Sequence, residues 1–209
     1  MTAVVRLADD EVEAAGAVLA RAFFDDPLFA YMLPDHDDRR ALGPLHFTPV
    51  VRLAQQTGEV WRNDDFSAVA CWQPPGTHEI TPEAAEDSGL SSMADDIGLE
   101  PTMRIATVFL HLDEQRRALD VPEHWYLSLF GVDSGHQGRG VGGALVRSML
   151  ARLDAAGIPA YLETMGPQNV GLYEHLGFEL LETDVEPSSG LPYWLFLRAP
   201  HSPGTSPAD

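Results

Sequence analysis

The amino-acid sequence predicts a single α/β domain. Short apolar runs of strand length alternate along the chain with stretches in which apolar residues recur at helical spacing. The clearest unit combines a strand at residues 125–132, a glycine-rich loop at 133–140 and a helix at 141–157. One face of that helix carries Val141, Leu145, Met149 and Leu153. The length of 209 residues suits one domain with a sizeable core.

The first part of the chain predicts a strand followed by helices. Asp9 and Asp10 suit the first turn of a helix, because their carboxylates can accept N-terminal backbone N–H groups. A second helical pattern follows, although Pro44 and Pro49 interrupt it. The predicted elements are a strand at 4–7, a helix at 10–24, a short apolar segment at 28–33, a polar loop at 34–38 and a helix at 41–56.

The middle of the chain predicts a β-hairpin and then helices. Asn63, Asp64 and Asp65 have turn chemistry and separate two strand-like runs. The long stretch that follows is mostly helical in pattern, with interruptions expected near Gly89 and Pro101. The predicted elements are strands at 58–62 and 66–72 and helices within 81–120.

The last part predicts three strands and one short helix. Gly166 and Pro167 mark a turn, and Gly177 suits the end of the helix. The predicted elements are strands at 158–164, 178–185 and 193–198 and a helix at 169–176. The tail at 199–209 is rich in proline, serine and glycine, so we predict a domain at 1–198 and a disordered tail.

The charge of the chain argues against some classes of function. There are 13 lysines and arginines against 32 aspartates and glutamates, a formal net charge of −19. Nucleic acids and anionic membranes require clustered cations, so neither is expected as a partner. No apolar run has the length of a membrane span, and the first residues show no signal-peptide pattern. We therefore expect a cytoplasmic location.

The lone cysteine and the histidines predict neither a disulfide nor a metal site. Cys71 lies in an apolar run, where a small buried residue is expected rather than a reactive thiol. The histidines outside any ligand spacing include His36, His46, His78 and His111. No bound metal is predicted.

The glycine-rich loop indicates an anion-binding site. Residues 138–143 stand before a helix, where backbone N–H groups and the helix dipole attract a phosphate, and Arg139 adds positive charge. The letters also match the dinucleotide fingerprint G-x-G-x-x-G, with Glu163 about twenty residues on. Residues 133–137 intervene after the strand, which weakens that alternative. Tight packing of the loop on a neighbour is a third interpretation.

Three motifs in order resemble the GCN5-related N-acetyltransferases, the GNAT family. Residues 137–142 fit the Gln/Arg-x-x-Gly-x-Gly/Ala signature of that family. Residues 130–133 look like its central splayed strand, and 172–178 look like its tyrosine-bearing helix and the strand after it. The resemblance is clear over 124–198 and weaker elsewhere. Segments similar to the puromycin N-acetyltransferase branch are 136–140, 161–164 and 167–170.

The resemblance implies both a fold and an activity. The fold is a mixed, mostly antiparallel sheet of about six to seven strands, flanked by helices and splayed at the central strand. The activity is acetyl transfer from acetyl-CoA to a primary amine of a small molecule, such as an antibiotic-like compound, with CoA as a product. Dimers are common among proteins that look like this, so a homodimer is an open alternative to a monomer.

The resemblance also implies how acetyl-CoA is held. The backbone of residues 130–132 would pair with the pantetheine arm like an added strand and offer an N–H group to the thioester carbonyl. The glycine loop would hold the pyrophosphate. The residues implied in cofactor binding are Phe130, Gly131, Val132, Gln137, Gly138, Arg139, Gly140, Val141, Gly142, Gly143, Asn169 and Tyr173.

Tyr173 and Glu163 are the catalytic residues that the resemblance implies. Tyr173 would protonate the departing thiolate, and Glu163 would take a proton from the amine, directly or through a water. The amine would then attack the thioester directly, without an acyl-enzyme. The alternatives are that Tyr173 is an amphipathic core residue and that Glu163 only orders the sheet.

The sequence departs from the family pattern at Gly166. Many members carry an asparagine at this place, seven residues before the tyrosine. Asn169 offers an amide nearby that could contact the pantetheine arm, or it could cap the helix that carries Tyr173.

The acceptor amine is the least defined part of the prediction. Two acidic residues could attract a cationic amine or could be solvated charges at a helix end, and the aromatic candidates could stack on the acceptor or belong to the core. The candidates are Asp25, Asp26, Tyr31, Trp72, Trp125, Tyr193 and Trp194. Alternative functions are a non-catalytic acyl-CoA-binding module, an acetyltransferase for peptide or protein amines, and a dinucleotide-dependent oxidoreductase.

Overall fold

The computed structural model describes residues 3–201, and its centre is a seven-stranded sheet in the order β1-β2-β3-β4-β5-β7-β6. The strands of this part are β1 (Val4–Arg6), β2 (Glu59–Asn63), β3 (Ala68–Gln73), β4 (Trp125–Val132), β5 (Ala160–Thr164), β6 (Glu179–Val185) and β7 (Pro192–Arg198). Neighbouring strands are antiparallel except for β4 and β5, which are parallel. The predicted mixed, mostly antiparallel sheet is therefore confirmed, and the dinucleotide-binding alternative is wrong because that fold requires a mainly parallel sheet.

Helices cover both faces of the sheet. Those of the described chain are α1 (Val12–Ala22), α2 (Pro27–Met32), α3 (His36–Thr57), α4 (Pro82–Ser88), α5 (Met93–Ile97), α6 (Leu99–Ala118), α7 (Val141–Ala156) and α8 (Val170–His175). Helices α1 and α3 pack on one face of β2 and β3, and α7 and α8 pack on the opposite face. Helix α6 lies over β5 and β7, where Val108 and Leu112 contact Tyr161 and Tyr193.

The predicted loop at 34–38 is wrong in its second half, because α3 begins at His36. The Asp35 carboxylate caps this helix by accepting the backbone N–H groups of Asp37 at 2.8 Å and Asp38 at 3.1 Å. The helix also continues through Pro44 and Pro49. It packs along α1, where Gly16 permits close approach: a Cβ there would lie 2.5 Å from Thr48 Oγ1. Tertiary packing outweighs the local cost of the prolines.

The breaks in the long helical stretch fall at glycines. Gly89 ends α4 with φ of 85°, and Gly98 separates α5 from α6 with φ of 93°, a backbone conformation that favours glycine. The interruption predicted near Pro101 is present, but it falls at Gly98 and not at the proline. Pro101 lies in the first turn of α6, where its missing N–H costs no helical hydrogen bond.

The end of the domain is held by an ion pair. β7 ends at Arg198, whose guanidinium donates to both Asp154 oxygens, at 2.7 and 2.8 Å. The backbone N–H of His201 donates to the same carboxylate at 2.8 Å. The remainder of the predicted disordered tail, residues 202–209, lies outside the described residues. Within residues 3–201, no helix has both the length and the apolar character needed to cross a bilayer.

Candidate active site

The site is built where two parallel strands separate. β4 and β5 pair only at Trp125 with Ala160 and at Tyr126 with Tyr161. Beyond these pairs β4 continues to Val132 beside β3, and β5 continues beside β7, so a cleft opens between them. Its lining residues are Phe23, Asp26, Leu28, Phe109, Leu112, Tyr126, Leu127, Ser128, Leu129, Phe130, Glu163, Thr164, Met165, Asn169 and Tyr173.

The glycine loop lies at the end of β4, before α7. Gly138 and Gly140 have φ of 72° and 77°, and a Cβ at either position would meet open space, so the loop is free to receive a ligand. Gly140 is the N-terminal cap of α7, a helix of 16 residues. The Gln137 side chain donates to the Val132 carbonyl at 3.1 Å and ties the loop to the strand. This arrangement suits a phosphate group.

Two glycines allow helices to press on β4. A Cβ at Gly142 would lie 2.6 Å from Phe130 Cζ and 2.7 Å from Val132 Cγ2, so α7 contacts the strand more closely than any other residue would permit. On the strand itself, a Cβ at Gly131 would lie 2.8 Å from the Cβ of Ala22 in α1. Tight packing and anion binding are thus properties of different glycines in one motif.

Positive side chains near the loop include one that the sequence reasoning missed. Arg139 is exposed on the loop, as predicted. Arg147, about two turns into α7, folds back so that its Nη1 lies 2.8 Å from the position of a Cβ on Gly143. Arg147 stands four residues after Gly143, so the two positions lie on the same face of the helix. This spacing could have indicated from the sequence that Arg147 lies near the glycine loop.

Glu163 lies in the cleft near the end of β5. Its Oε1 accepts a hydrogen bond from the Tyr126 hydroxyl at 2.5 Å. Burial raises the pKa of the Glu163 carboxyl above its ordinary value, and the hydrogen bond from Tyr126 acts in the opposite direction. A carboxyl group with a raised pKa in a cleft is suited to accept a proton near neutral pH.

Tyr173 lines the same cleft from α8. Its ring is 6% exposed and packs edge-on against Phe178, with centroids 6.1 Å apart. Burial raises the pKa of its hydroxyl, and the nearby negative charge of Asp26 raises it further. The phenol therefore stays protonated at neutral pH and can donate a proton.

The two acidic acceptor candidates have different surroundings. Asp26 lines the cleft and caps α2, where its Oδ1 accepts the N–H groups of Leu28 at 2.9 Å and Phe29 at 3.3 Å. Burial raises the pKa of Asp26. Asp25 is exposed and does not line the cleft.

The aromatic acceptor candidates do not line the cleft. Trp72 is fully buried, and Trp125 and Trp194 belong to the same apolar cluster, which packs under α7 and α8. Tyr193 is also buried, and its hydroxyl donates to Glu182 at 3.2 Å. Side chains alternate between faces along a strand, so neighbours such as Tyr193 and Trp194 cannot both face one site.

Tyr31 links helix α2 to the β6–β7 connection and to helix α6. Its hydroxyl donates to the Ser188 carbonyl at 3.2 Å, and the guanidinium carbon of Arg104 lies 5.8 Å from its ring centroid. These contacts join α2 to the β6–β7 connection and to α6. Tyr31 does not itself line the cleft.

The walls of the cleft come largely from residues that the sequence reasoning did not single out. Phe23 and Leu28 come from α1 and the start of α2, whereas Phe109 and Leu112 come from α6. Phe109 is 43% exposed, a high value for a large apolar side chain. In the sequence, Phe109 lies outside the apolar stripe of its helix. An aromatic residue in such a position could have indicated a binding surface.

Asn169 lies beside the position where the family pattern has its asparagine. It lines the cleft, and its Nδ2 is 2.8 Å from the place of a Cβ on Gly166. Its side chain makes no capping hydrogen bond to α8. The helix-capping alternative is therefore wrong. The Nδ2 of Asn169 instead makes a long hydrogen bond of 3.5 Å to Thr164 Oγ1.

A thiol nucleophile has no place in this site. Cys71 is fully buried in β3, as predicted, and burial raises the pKa of its thiol to about 12. Within residues 3–201, moreover, no group of three or more potential ligands from His, Cys, Asp and Glu is arranged to hold a metal ion.

The fold and the cleft define an acetyltransferase. The model of the acetyltransferase (GNAT) family matches residues 57–178, which is more than half of the chain, and the protein belongs to this family. An uncharacterized N-acetyltransferase of Schizosaccharomyces pombe is 29% identical over 182 residues, which are 84% of this chain and 74% of that protein.

Solved structures share the fold at low sequence identity. A histone acetyltransferase HPA2 and related acetyltransferase from Corynebacterium glutamicum has a TM-score of 0.66 and 23% identity, with 98% of this chain and 100% of that chain covered. The polyamine N-acetyltransferase of Drosophila melanogaster, which forms N-acetylagmatine, has a TM-score of 0.60 and 17% identity, with 95% and 100% covered. These likenesses establish the architecture and leave the acceptor open.

The buried charge of Glu163 predicts a pH-dependent stability. Its pKa is higher in the folded than in the unfolded chain, so the ionised carboxyl lowers stability as the pH rises above the unfolded value. We expect Glu163→Gln to increase the free energy of unfolding in urea at pH 7.5, with a smaller gain near the pKa of the unfolded chain, at about pH 4.

Glu59→Gln is the control with the opposite sign. The pKa of Glu59 is lowered, chiefly by its hydrogen bonds from Arg152 at 2.6 and 3.1 Å. This variant should lose stability at pH 7.5. A Glu163→Gln protein that is equally destabilised at both pH values would contradict the assigned burial.

Proposed function

We propose that the protein is an acetyl-CoA-dependent N-acetyltransferase that acts on a primary amine of a small molecule. The observation that carries this proposal is the cleft between β4 and β5, with a glycine loop at the end of β4 and both Glu163 and Tyr173 along its lining. Membership in the acetyltransferase family supports the reaction class.

The cleft edge of β4 and the glycine loop suit acetyl-CoA as the acetyl donor. Beyond Tyr126, the edge of β4 that faces the cleft has no strand beside it, so its backbone can pair with an extended amide-bearing arm. The loop at 138–143 and the start of α7 would hold the pyrophosphate, with Arg139 and Arg147 adding positive charge. Acetyl-CoA supplies the activated thioester that an amine can attack.

The proposed chemistry assigns one proton transfer to each catalytic residue. Glu163 takes a proton from the ammonium form of the acceptor, directly or through a water, and leaves a neutral amine. A backbone N–H group of β4 polarises the thioester carbonyl while the nitrogen–carbon bond forms. Tyr173 gives its proton to the sulfur as the carbon–sulfur bond breaks. With a parent pKa of about 10 the phenol is protonated before the transfer. Because the pKa of a thiol is about 8.5, the driving force for the transfer is small, and burial that raises the pKa of the phenol reduces it further.

The cleft supports a small amine with an apolar portion. Phe23, Leu28 and Phe109 present apolar surface, while Asp26 and Glu163 provide negative charge for the ammonium group. The formation of N-acetylagmatine by the Drosophila neighbour is compatible with such an acceptor. The similarity to the puromycin N-acetyltransferase branch remains a prediction about the acceptor.

The first test is turnover. Purified protein with acetyl-CoA and a panel of arylalkyl, polyamine and antibiotic-like amines should release free CoA, detected with a thiol reagent. A non-catalytic acyl-CoA-binding module would bind acetyl-CoA and release no CoA with any amine.

We expect Tyr173→Phe to lower kcat by about 10- to 100-fold, because it removes the proton donor while retaining the ring. The dissociation constant for acetyl-CoA, measured by calorimetry, should stay within about twofold of wild type. Tyr31→Phe is the matched control, since it also removes one hydroxyl beside the cleft. Unchanged turnover in Tyr173→Phe would remove this residue from the acid role.

Asn169 is proposed to supply the amide that Gly166 lacks. Asn169→Ala should raise KM for acetyl-CoA by about 3- to 10-fold, the size of one lost hydrogen bond, with kcat at saturation little changed. Restoring an amide in the double variant Gly166→Asn, Asn169→Ala should recover part of the affinity. The φ of −96° at 166 suits any residue, and once Asn169 is alanine the new Cβ displaces only the flexible Gln168 amide, whose Nε2 lies 2.7 Å away. Gln168→Ala, an exposed neighbour, is the control. An unchanged KM in Asn169→Ala would contradict the proposal.

A further inference from the structure

The cleft contains two carboxylates and no cationic side chain. Asp26 and Glu163 line it, and its other described lining residues include no arginine, lysine or histidine. Neither carboxylate belongs to an ion pair within residues 3–201. The cleft therefore carries two negative charges that the chain itself does not balance.

A half-buried carboxylate without a counter-ion is unfavourable, because it has lost part of its hydration. Burial raises the pKa of both carboxyl groups, and no cationic side chain lowers that of Asp26. A cationic ligand supplies the missing counter-charge. The cleft thus favours a ligand with positive charge at each carboxylate.

The Asp26 carboxylate is held in one orientation at the start of α2. Its Oδ1 accepts the backbone N–H groups of Leu28 at 2.9 Å and of Phe29 at 3.3 Å. Its Oδ2 has no hydrogen-bond partner in the described part of the chain, and it is not among the fully buried side-chain atoms there. One oxygen is used by the fold, and the other is available to a ligand.

The two carboxylates have different neighbours. Glu163 lies near the end of β5 and accepts a hydrogen bond from the Tyr126 hydroxyl at 2.5 Å. Asp26 lies between α1 and α2, and its negative charge raises the pKa of the Tyr173 hydroxyl in α8. Because they belong to different elements and act on different tyrosines, each carboxylate can bind a cation of its own.

The walls beside these carboxylates are apolar. Phe23 and Leu28 lie within three residues of Asp26 along the chain, and Phe109 and Leu112 extend from α6. Phe109 is 43% exposed, so part of its ring is available for contact. Apolar surface of this kind matches a methylene chain better than a polar linker.

We infer that the acceptor carries two cationic groups joined by an apolar chain: the reacting ammonium group binds at Glu163, and a second ammonium or guanidinium group binds at Asp26. Asp26 is then a specificity-determining residue. The inference rests on the proposed function, because it names the class of amine that is acetylated.

The acetyl transfer itself is unchanged, and one nitrogen of the acceptor reacts. The nitrogen–carbon bond forms, the carbon–sulfur bond breaks, and the second cation keeps its proton and its charge. The reacting nitrogen becomes a neutral amide, so the product loses its attraction to Glu163 and keeps only that to Asp26. The loss of one charge favours product release.

The second cation also acts on the proposed acid. A positive group at Asp26 offsets the negative charge that raises the pKa of the Tyr173 hydroxyl. The pKa of the phenol then moves toward its ordinary value, which increases the driving force for proton donation to the sulfur. We therefore expect a doubly charged acceptor to have a higher kcat as well as a lower KM than its singly charged counterpart.

Calorimetry with matched ligands tests the inference without turnover. Wild-type protein is titrated with the α,ω-diamines from diaminopropane to diaminooctane and with the straight-chain monoamine of each length, so each pair differs by one ammonium group. At the best chain length, the Kd of the diamine should be about 10- to 100-fold below that of its monoamine, the size of one hydrogen bond between charged groups. Equal Kd values at every length would overturn the inference.

The variant Asp26→Asn identifies the carboxylate responsible. Asparagine is also a good N-cap residue, so it can keep both N–H contacts at the start of α2 while removing the charge. The ratio of diamine to monoamine affinity should fall about tenfold or more. Asp25→Asn is the matched control, because it removes the same charge from the adjacent exposed residue, which does not line the cleft. It measures the general attraction of a dication to a chain of net charge −19.

Acetyl transfer gives a second readout. In wild type, kcat/KM should favour the diamine over its monoamine, and Asp26→Asn should lose this preference while Asp25→Asn retains it. An equal loss for diamine and monoamine in Asp26→Asn would overturn the inference, since it would place Asp26 at the reacting group. Equal effects of Asp25→Asn and Asp26→Asn would also overturn it. Failure of the proposed function would appear separately, as absence of CoA release by wild type with any amine.

Discussion

The structure depends on one constraint, the short parallel pairing of β4 with β5. The pairing of β4 with β5 is shorter than the pairing of either strand with its other neighbour. β4 pairs with β3 as far as Val132, and β5 pairs with β7 as far as Thr164. The sheet is therefore open between β4 and β5. Backbone N–H and C=O groups of β4 become available there, in the middle of the sheet and not at its outer edge. The same opening brings Glu163 and Tyr173 to one cleft.

Burial gives the polar groups of this cleft their chemistry. Burial raises the pKa of both Glu163 and Tyr173. It makes the Glu163 carboxylate a stronger base, and it keeps the Tyr173 phenol protonated at neutral pH. The net charge of −19 is compatible with an anionic acetyl donor, because the proposed phosphate site uses backbone N–H groups and a helix N-terminus with Arg139 and Arg147 nearby.

The strand–loop–helix unit at 125–157 could be predicted from sequence because its signals are local: an apolar run, glycines and a helical stripe. The path of α3 through Pro44 and Pro49 could not, since packing against α1 outweighs a local penalty. The acceptor residues were the hardest to predict. Whether Trp194 or its neighbour packs under α6 depends on which layer covers each face of β7. The hydrogen bond from Tyr126 to Glu163 depends on a strand register that no local pattern contains.

Hydrogen exchange on acetyl-CoA binding tests the central claim most directly, that the open edge of β4 and the glycine loop receive the acetyl donor. Mass spectrometry of peptides covering 127–132 and 137–143 should show slower amide exchange at saturating acetyl-CoA, because backbone N–H groups that face the cleft acquire acceptors. A peptide covering the β2–β3 hairpin should change little. Unchanged exchange in both cleft peptides, at a concentration where calorimetry shows binding, would contradict the account.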